Sequence, residues 1–106
     1  MISIEKYEVD PLKHFILVKW NSAVTDKEEM ARRAEAAFAG AAEIPGVSGC
    51  RIVRSCSERP NRYDLAVCMD LTEEGLRAYD ASELHKNWKA DFSAYFEGKA
   101  VFDCEG

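Results

Sequence analysis

The fold is decided by the stretch KHFILVKW at residues 13–20, which predicts a strand that is covered on both faces. One face carries an imidazole among apolar side chains, namely His14, Ile16, Val18 and Trp20. The other face carries Phe15 and Leu17. An apolar pattern on both faces is typical of a strand that other parts of the structure cover on both sides.

Working outward from this strand, the chain alternates between helical and extended patterns. Capping residues and helical periodicity predict the helices, and strict alternation predicts the strands. The predicted elements are a helix at 25–42 opened by a Thr25–Glu28 capping box, strands at 49–56 and 63–71, helical segments beginning at Thr72 and Ser82, and a last strand at 99–104. Strand–helix–strand therefore occurs twice. This order predicts an α+β fold of the ferredoxin-like split β-α-β kind, a four-stranded antiparallel sheet with helices on one face.

The strand at 63–71 adds a prediction about assembly. Its apolar face includes Leu65, Val67 and Met69, and we assign this face to contact with another molecule, because an uncovered apolar sheet face is an interaction surface. A second copy of the same sheet would close a barrel across a two-fold axis. The expected partner is therefore the chain itself, in a homodimer.

Composition limits the other partners and the location. A chain of 106 residues is one domain by size, with residues 1–12 as a polar N-terminal extension and 13–106 as the domain. Its formal net charge of −5 argues against binding to nucleic acid or to an anionic membrane surface. The acidic start and the lack of a long apolar run predict no signal peptide and no membrane span, so we expect a cytoplasmic protein.

The four cysteines predict neither a metal site nor a disulfide. Cys50, Cys56, Cys68 and Cys104 are widely and irregularly spaced, without a C-x-x-C pair, so we expect reduced, mostly buried thiols and no bound metal. The sequence also lacks a glycine-rich phosphate loop, which predicts that no nucleotide cofactor is used. The strand carboxylates of Asp64 and Asp103 are expected to form structural pairs with cations such as Arg51, Arg54 or Lys99.

Only two histidines are available for proton transfer near neutral pH, His14 and His85. His85 is a candidate general base, or alternatively a histidine that makes a structural hydrogen bond near a helix start. Tyr79 lies six residues earlier and is either a positioning hydroxyl or a core aromatic with a polar tip. His14 is either a satisfied core residue or a ligand contact.

Five short motifs resemble, in order, those of the stress-responsive A/B barrel (Dabb) domains. They are the KH-x-I-x-VKW strand at 13–20, Ile44-Pro45-Gly46-Val47, Tyr63-Asp64-Leu65-Ala66, Ala78-Tyr79 with His85, and Val101-Phe102-Asp103. The resemblance covers residues 13–104. It implies a dimeric ferredoxin-like α+β barrel with a cavity between the sheet and the helices.

One branch of this family, the plant polyketide cyclases, uses a Tyr and a His six residues apart on a bound poly-β-keto chain. Resemblance to that branch implies that Tyr79 and His85 are catalytic. Leu65 stands where that branch has a further histidine. The candidate ligand-binding residues around the implied cavity are His14, Val18, Trp20, Leu65, Trp88 and Phe92.

Three functions remain open from the sequence. The first is a stress-responsive barrel protein that holds a small apolar molecule without catalysis. The second is a cofactor-free, polyketide-cyclase-like enzyme in which Tyr79 and His85 remove a proton beside a carbonyl. The third is a cofactor-independent monooxygenase or a haem-binding protein on the same fold.

Overall fold

Four antiparallel strands form one sheet in the computed structural model, which describes residues 11–106. The strands are β1 (Leu12–Trp20), β2 (Val47–Arg54), β3 (Leu65–Leu71) and β4 (Phe96–Glu105). Their order across the sheet is β2-β3-β1-β4, so β1 is central and β4 is an edge strand. This topology is the split β-α-β arrangement that the sequence predicts. Most of the predicted extension at 1–12 lies outside the described residues.

Three helices connect the strands: α1 (Lys27–Ala37), α2 (Glu73–Asp80) and α3 (Glu83–Phe92). The predicted capping box is shifted by one residue, since Asp26 rather than Thr25 caps α1 by accepting the Glu29 amide hydrogen bond at 3.1 Å. The predicted 25–42 helix is also too long, because α1 ends at Ala37 and the chain continues as a 3₁₀ turn at Ala41–Glu43. In residues 11–106 no helix is both long and apolar enough to cross a membrane.

The inner face of the sheet packs against the helices and forms the core. Leu65, Val67 and Met69 are almost completely buried there. The assignment of these three residues to the contact with a second copy is therefore wrong. The strand's alternation correctly separated its two faces, but the more apolar of them belongs to the core of the protomer itself.

The outer face of the sheet carries the second layer of apolar side chains. The outer apolar patch consists of Phe15, Leu17, Val53, Ala66, Ala100 and Phe102, which strand register places side by side. Phe15 and Phe102 are cross-strand partners with ring centroids 6.2 Å apart. Phe102 is 60% exposed in the protomer. A large aromatic ring that stays this exposed beside other apolar groups marks an unpartnered surface.

Two glycines bring α2 against the turn that precedes β2. Gly46 has a φ of +89°, which only glycine adopts readily, and its carbonyl accepts the Thr72 amide hydrogen bond at 2.9 Å. A β-carbon built on Gly75 would lie 2.3 Å from the Gly46 carbonyl oxygen. The first turn of α2 therefore reaches its place only because neither position carries a side chain.

This contact predicts the effect of a methyl group at Gly75. We expect Gly75→Ala to lower the free energy of unfolding by about 3 kcal/mol or more, because the clash is with backbone that cannot rotate away. The change is measured by urea unfolding. Gly40→Ala is the matched control, since a β-carbon there meets no atom within 4 Å. Equal stability of the two variants would contradict the proposed role of the Gly46–Gly75 contact.

Candidate functional site

A cavity of about 220 Å³ opens between the helix layer and the β1–β4 side of the sheet. We call it the Tyr79 cavity. It forms because the helices leave the inner face of edge strand β4 uncovered, so that Val101 is 52% exposed. Six of the side chains that line it carry polar groups: His14, Tyr79, Asp80, His85, Lys99 and Asp103.

His14 enters the cavity from β1 and is held by Asp103 on β4. The two residues are direct cross-strand partners, and the Asp103 carboxylate contacts Nδ1 of His14. Because an ionised carboxylate only accepts hydrogen bonds, Nδ1 carries the hydrogen and donates it. His14 is 6% exposed, and this bond satisfies a polar ring that would otherwise be costly to bury.

His85 lies in the first turn of α3, behind the Ser82 cap. The Ser82 hydroxyl accepts the His85 amide hydrogen bond at 3.1 Å, which fixes the start of the helix. Nδ1 of His85 is 3.0 Å from the carbonyl oxygen of Asp80. A carbonyl can only accept, so Nδ1 donates, and the neutral ring keeps its basic lone pair on Nε2. The structural and functional interpretations of His85 are therefore compatible, because the backbone bond orients a ring that lines the cavity.

The Tyr79 ring packs against both imidazoles. Its ring centroid is 4.7 Å from that of His85 and 5.7 Å from that of His14. The residue is fully buried, and its hydroxyl has no hydrogen-bond partner among residues 11–106. Burial, followed by the nearby Asp80 and Cys50, raises the pKa of the Tyr79 phenol well above its usual value. The hydroxyl therefore stays protonated through neutral and mildly alkaline pH, as a hydrogen-bond donor without an acceptor.

The other candidate residues are divided between this cavity and the rest of the core. Trp88 lines the Tyr79 cavity together with the two histidines. Phe92 lines a separate groove of about 460 Å³ between α1 and α3. Val18, Trp20 and Leu65 are buried in the core and lie outside the Tyr79 cavity. Ligand contact by any of these residues, and catalysis by Tyr79 and His85, stay predictions.

Three charged residues of the cavity were missed as site residues by the sequence interpretation: Asp80, Lys99 and Asp103. Asp64 and Asp103 are both paired as expected, but the expected partners Arg51, Arg54 and Lys99 are wrong, since Asp64 pairs with Lys27 and Asp103 with His14. Arg54 instead bonds Glu28 and Glu35 on α1. The signal that would have found the Asp103 contact is the β1–β4 register, which places it opposite His14.

The thiols are not arranged as a metal site in the part of the chain that the structure describes. No group of three or more His, Cys, Asp or Glu side chains in residues 11–106 is placed to hold a metal ion. Burial raises the pKa of the Cys50 thiol to about 11, which makes it a poor nucleophile near neutral pH. Cys56 follows the end of β2 and is exposed, unlike the other three cysteines.

Comparison with known proteins shows that solved structures share the fold of this chain. No family model matches the sequence, and a search of curated proteins found no match. Among solved structures, a dimeric ferredoxin-like protein from Thermobifida fusca is 25% identical, with 91% of each chain covered and a TM-score of 0.76. A Dabb family protein from Mesorhizobium loti is 15% identical, with 91% of this chain and 96% of that chain covered and a TM-score of 0.69.

A hydroxynitrile lyase from Passiflora edulis also shares the architecture, with 10% identity, 92% of this chain and 94% of that chain covered, and a TM-score of 0.72. The fold is ferredoxin-like. The resemblance to Dabb proteins that the motifs indicate is confirmed at the level of the fold. At these identities the neighbours show the fold and assign no chemistry to the Tyr79 cavity.

The Tyr79 hydroxyl, which has no partner among the described residues, is expected to lower the stability of the folded protein. We expect Tyr79→Phe to raise the free energy of unfolding by about 1 kcal/mol, because it removes a buried donor that has no acceptor while keeping the ring. Urea unfolding without any added ligand measures the change. Tyr63→Phe is the matched control, since Tyr63 is exposed and should change stability by less than about 0.5 kcal/mol. A clear loss of stability in Tyr79→Phe would show that the hydroxyl has a partner in the folded protein.

Proposed function

We propose that the chain is a cofactor-free acid–base catalyst that binds a small carbonyl compound in the Tyr79 cavity and removes a proton beside the carbonyl. One observation carries the proposal: Tyr79 is fully buried with a hydroxyl that has no partner among residues 11–106, and its ring packs against two oriented imidazoles. Strongly perturbed titratable groups in a cavity are typical of functional sites.

The tyrosine hydroxyl acts on the substrate oxygen. Leaving it unpaired in the empty site costs roughly 1–3 kcal/mol, and a carbonyl oxygen that accepts its hydrogen bond removes that cost. When the neighbouring carbon loses its proton, negative charge develops on this oxygen. The hydrogen bond from Tyr79 then strengthens, so the hydroxyl stabilises the transition state more than the bound ground state.

The proton moves to His85. The C–H bond beside the carbonyl breaks, its proton goes to Nε2 of His85, and its electron pair forms the carbon–carbon double bond of the enolate. The hydrogen bond from Nδ1 to the Asp80 carbonyl fixes the tautomer that this step needs. Asp103 holds His14 in the equivalent tautomer, and His14 also lines the cavity that the substrate would occupy.

The size and the lining of the cavity favour this function among the three alternatives. A volume of about 220 Å³ is below the roughly 300–1,000 Å³ typical of sites for drug-sized ligands, so the occupant is small. Several polar and charged groups converge on it, which supports a carbonyl compound over a purely apolar ligand. Binding without catalysis would use the same cavity, and a haem is too large for it.

Deuterium exchange tests the proposal without knowledge of the natural substrate. Wild-type protein should catalyse replacement of the protons beside the carbonyl of 2-heptanone in D₂O, followed by proton NMR. We expect His85→Gln to lower the rate at least about 10²-fold, because a positioned base contributes 10²–10⁴-fold, and Tyr79→Phe to lower it less. Lys89→Met on the exposed side of α3 is the control and should leave exchange unchanged.

Two results of this experiment would count against the proposed mechanism. Absence of catalysed exchange in the wild type would favour a binding protein over an enzyme. Full exchange by His85→Gln, together with loss of exchange in His14→Gln, would make His14 the base and show that our assignment of His85 is wrong.

We also propose that the outer apolar patch is covered by a second copy of the chain. The support is twofold: the patch leaves Phe102 60% exposed, and solved structures with this fold include proteins described as dimeric. Stable homodimers with sheet faces of this kind bury on the order of 2,000 Å² or more in total. The patch includes residues of all four strands, which suits such an interface.

Sedimentation at micromolar concentration tests the dimer. The wild type should sediment as a dimer of the 11.9 kDa chain, and Phe102→Glu should shift it to monomer because a buried, unpaired carboxylate is strongly unfavourable. Ala90→Glu on the exposed surface of α3 is the control and should stay dimeric. A wild-type monomer at these concentrations would contradict the proposal.

A further inference from the structure

We infer that the substrate of the Tyr79 cavity carries a carboxylate, that Lys99 binds it, and that the reacting carbonyl lies at the opposite end of a short chain. This inference rests on the proposed function and adds the substrate class and its orientation. Its basis is the separation of charge along the cavity wall.

The negative groups of the cavity lie at the histidine end. Asp103 pairs with His14, and Asp80 supplies the carbonyl that holds His85. Both carboxylates line the cavity and would repel an anionic group placed beside the histidines. An anionic substrate would therefore enter with its charged end away from the imidazoles.

Lys99 is the cation that lines the cavity among the described residues, and it lies at the other end. Strand register places it opposite Val18, whereas Asp103 is opposite His14. Four residues of strand separate the two backbone positions by about 13 Å. Within residues 11–106 Lys99 forms no salt bridge, although many other cations of the chain are paired. Its ammonium group is therefore available to an added anion.

The distance between the Lys99 ammonium group and the histidines determines how long the ligand must be. A flexible four-carbon stem lets the ammonium group bend from its backbone position toward the histidines. The carboxylate and the carbonyl of the substrate are then several bonds apart. Such a molecule also fits a cavity of about 220 Å³, so we expect a short keto acid with its two functional groups at opposite ends.

Binding of two matched probes tests this inference. The probes are 6-oxoheptanoate and 2-heptanone, which have the same carbon chain length but differ in the terminal carboxylate, and calorimetry or NMR titration gives each Kd. Wild-type protein should bind the keto acid more tightly than the ketone. Lys99→Met should weaken keto-acid binding about fivefold and leave ketone binding unchanged, since an exposed ion pair contributes modestly. Added salt should reduce the wild-type preference.

Matched variants distinguish the effect of the positive charge at Lys99 from the effect of a positive charge elsewhere on the surface. Lys99→Arg should retain the preference for the keto acid, and Lys89→Met, which removes a lysine outside the cavity, should have no effect. Equal affinity of the wild type for the two probes, or an equal effect of Lys99→Met on both, would overturn the inference. Failure of both probes to bind at millimolar concentration would overturn it as well.

The two proposals fail in different ways. If the wild type exchanges the protons of 2-heptanone but shows no preference for the carboxylate, the acid–base function stands and the role of Lys99 is wrong. If 6-oxoheptanoate binds in a Lys99-dependent manner but neither probe exchanges its protons, the carboxylate site stands and the catalytic proposal fails.

Discussion

The close approach of Gly46 and Gly75 is the constraint on which the geometry of the site depends. It seats the first turn of α2 on the turn before β2, with no side chain between the two backbones. Because a helix is rigid over two turns, seating its start also fixes its end, where Tyr79 lies. The break between α2 and α3 then directs His85 back toward the sheet. A contact between two residues without side chains thus determines where the polar side chains of the cavity meet.

The ring and the hydroxyl of Tyr79 have opposite effects on stability when they are buried. Its ring packs in the core against Phe38 and against two imidazoles, which favours a dry environment. Its hydroxyl has no acceptor in the described residues, which makes that environment expensive. A phenylalanine would pack equally well without this cost. Under the proposed function, this cost in stability is what allows the hydroxyl to bind an oxygen atom of the substrate.

The fold could be predicted from the sequence because its signals are local. Alternation in KHFILVKW and in 63–71, together with the caps at Thr72 and Ser82, identified strands and helices close to their observed positions. The side of the sheet that faces the helices could not be predicted. An apolar strand face gives the same alternating pattern whether helices or a second copy of the chain cover it. Leu65, Val67 and Met69 were accordingly assigned to the wrong layer.

The candidate site was predictable only in part. Tyr79 and His85 are close in sequence, so a turn between them is enough to bring them together. Asp103 is 89 residues from His14, and their contact depends on strand register, which sequence patterns determine poorly. Lys99 and Asp80 are exposed charges whose importance comes only from the cavity beside them.

Strand β4 serves two surfaces with alternate residues. Lys99, Val101 and Asp103 line the cavity, while Ala100 and Phe102 between them belong to the outer apolar patch. In a dimer joined through that patch, the same strand would take part in two equilibria, and each would change the free energy of the other. Whatever factor occupation of the cavity applies to the pairing of protomers, pairing would apply the same factor to ligand affinity, so the affinity would depend on protein concentration.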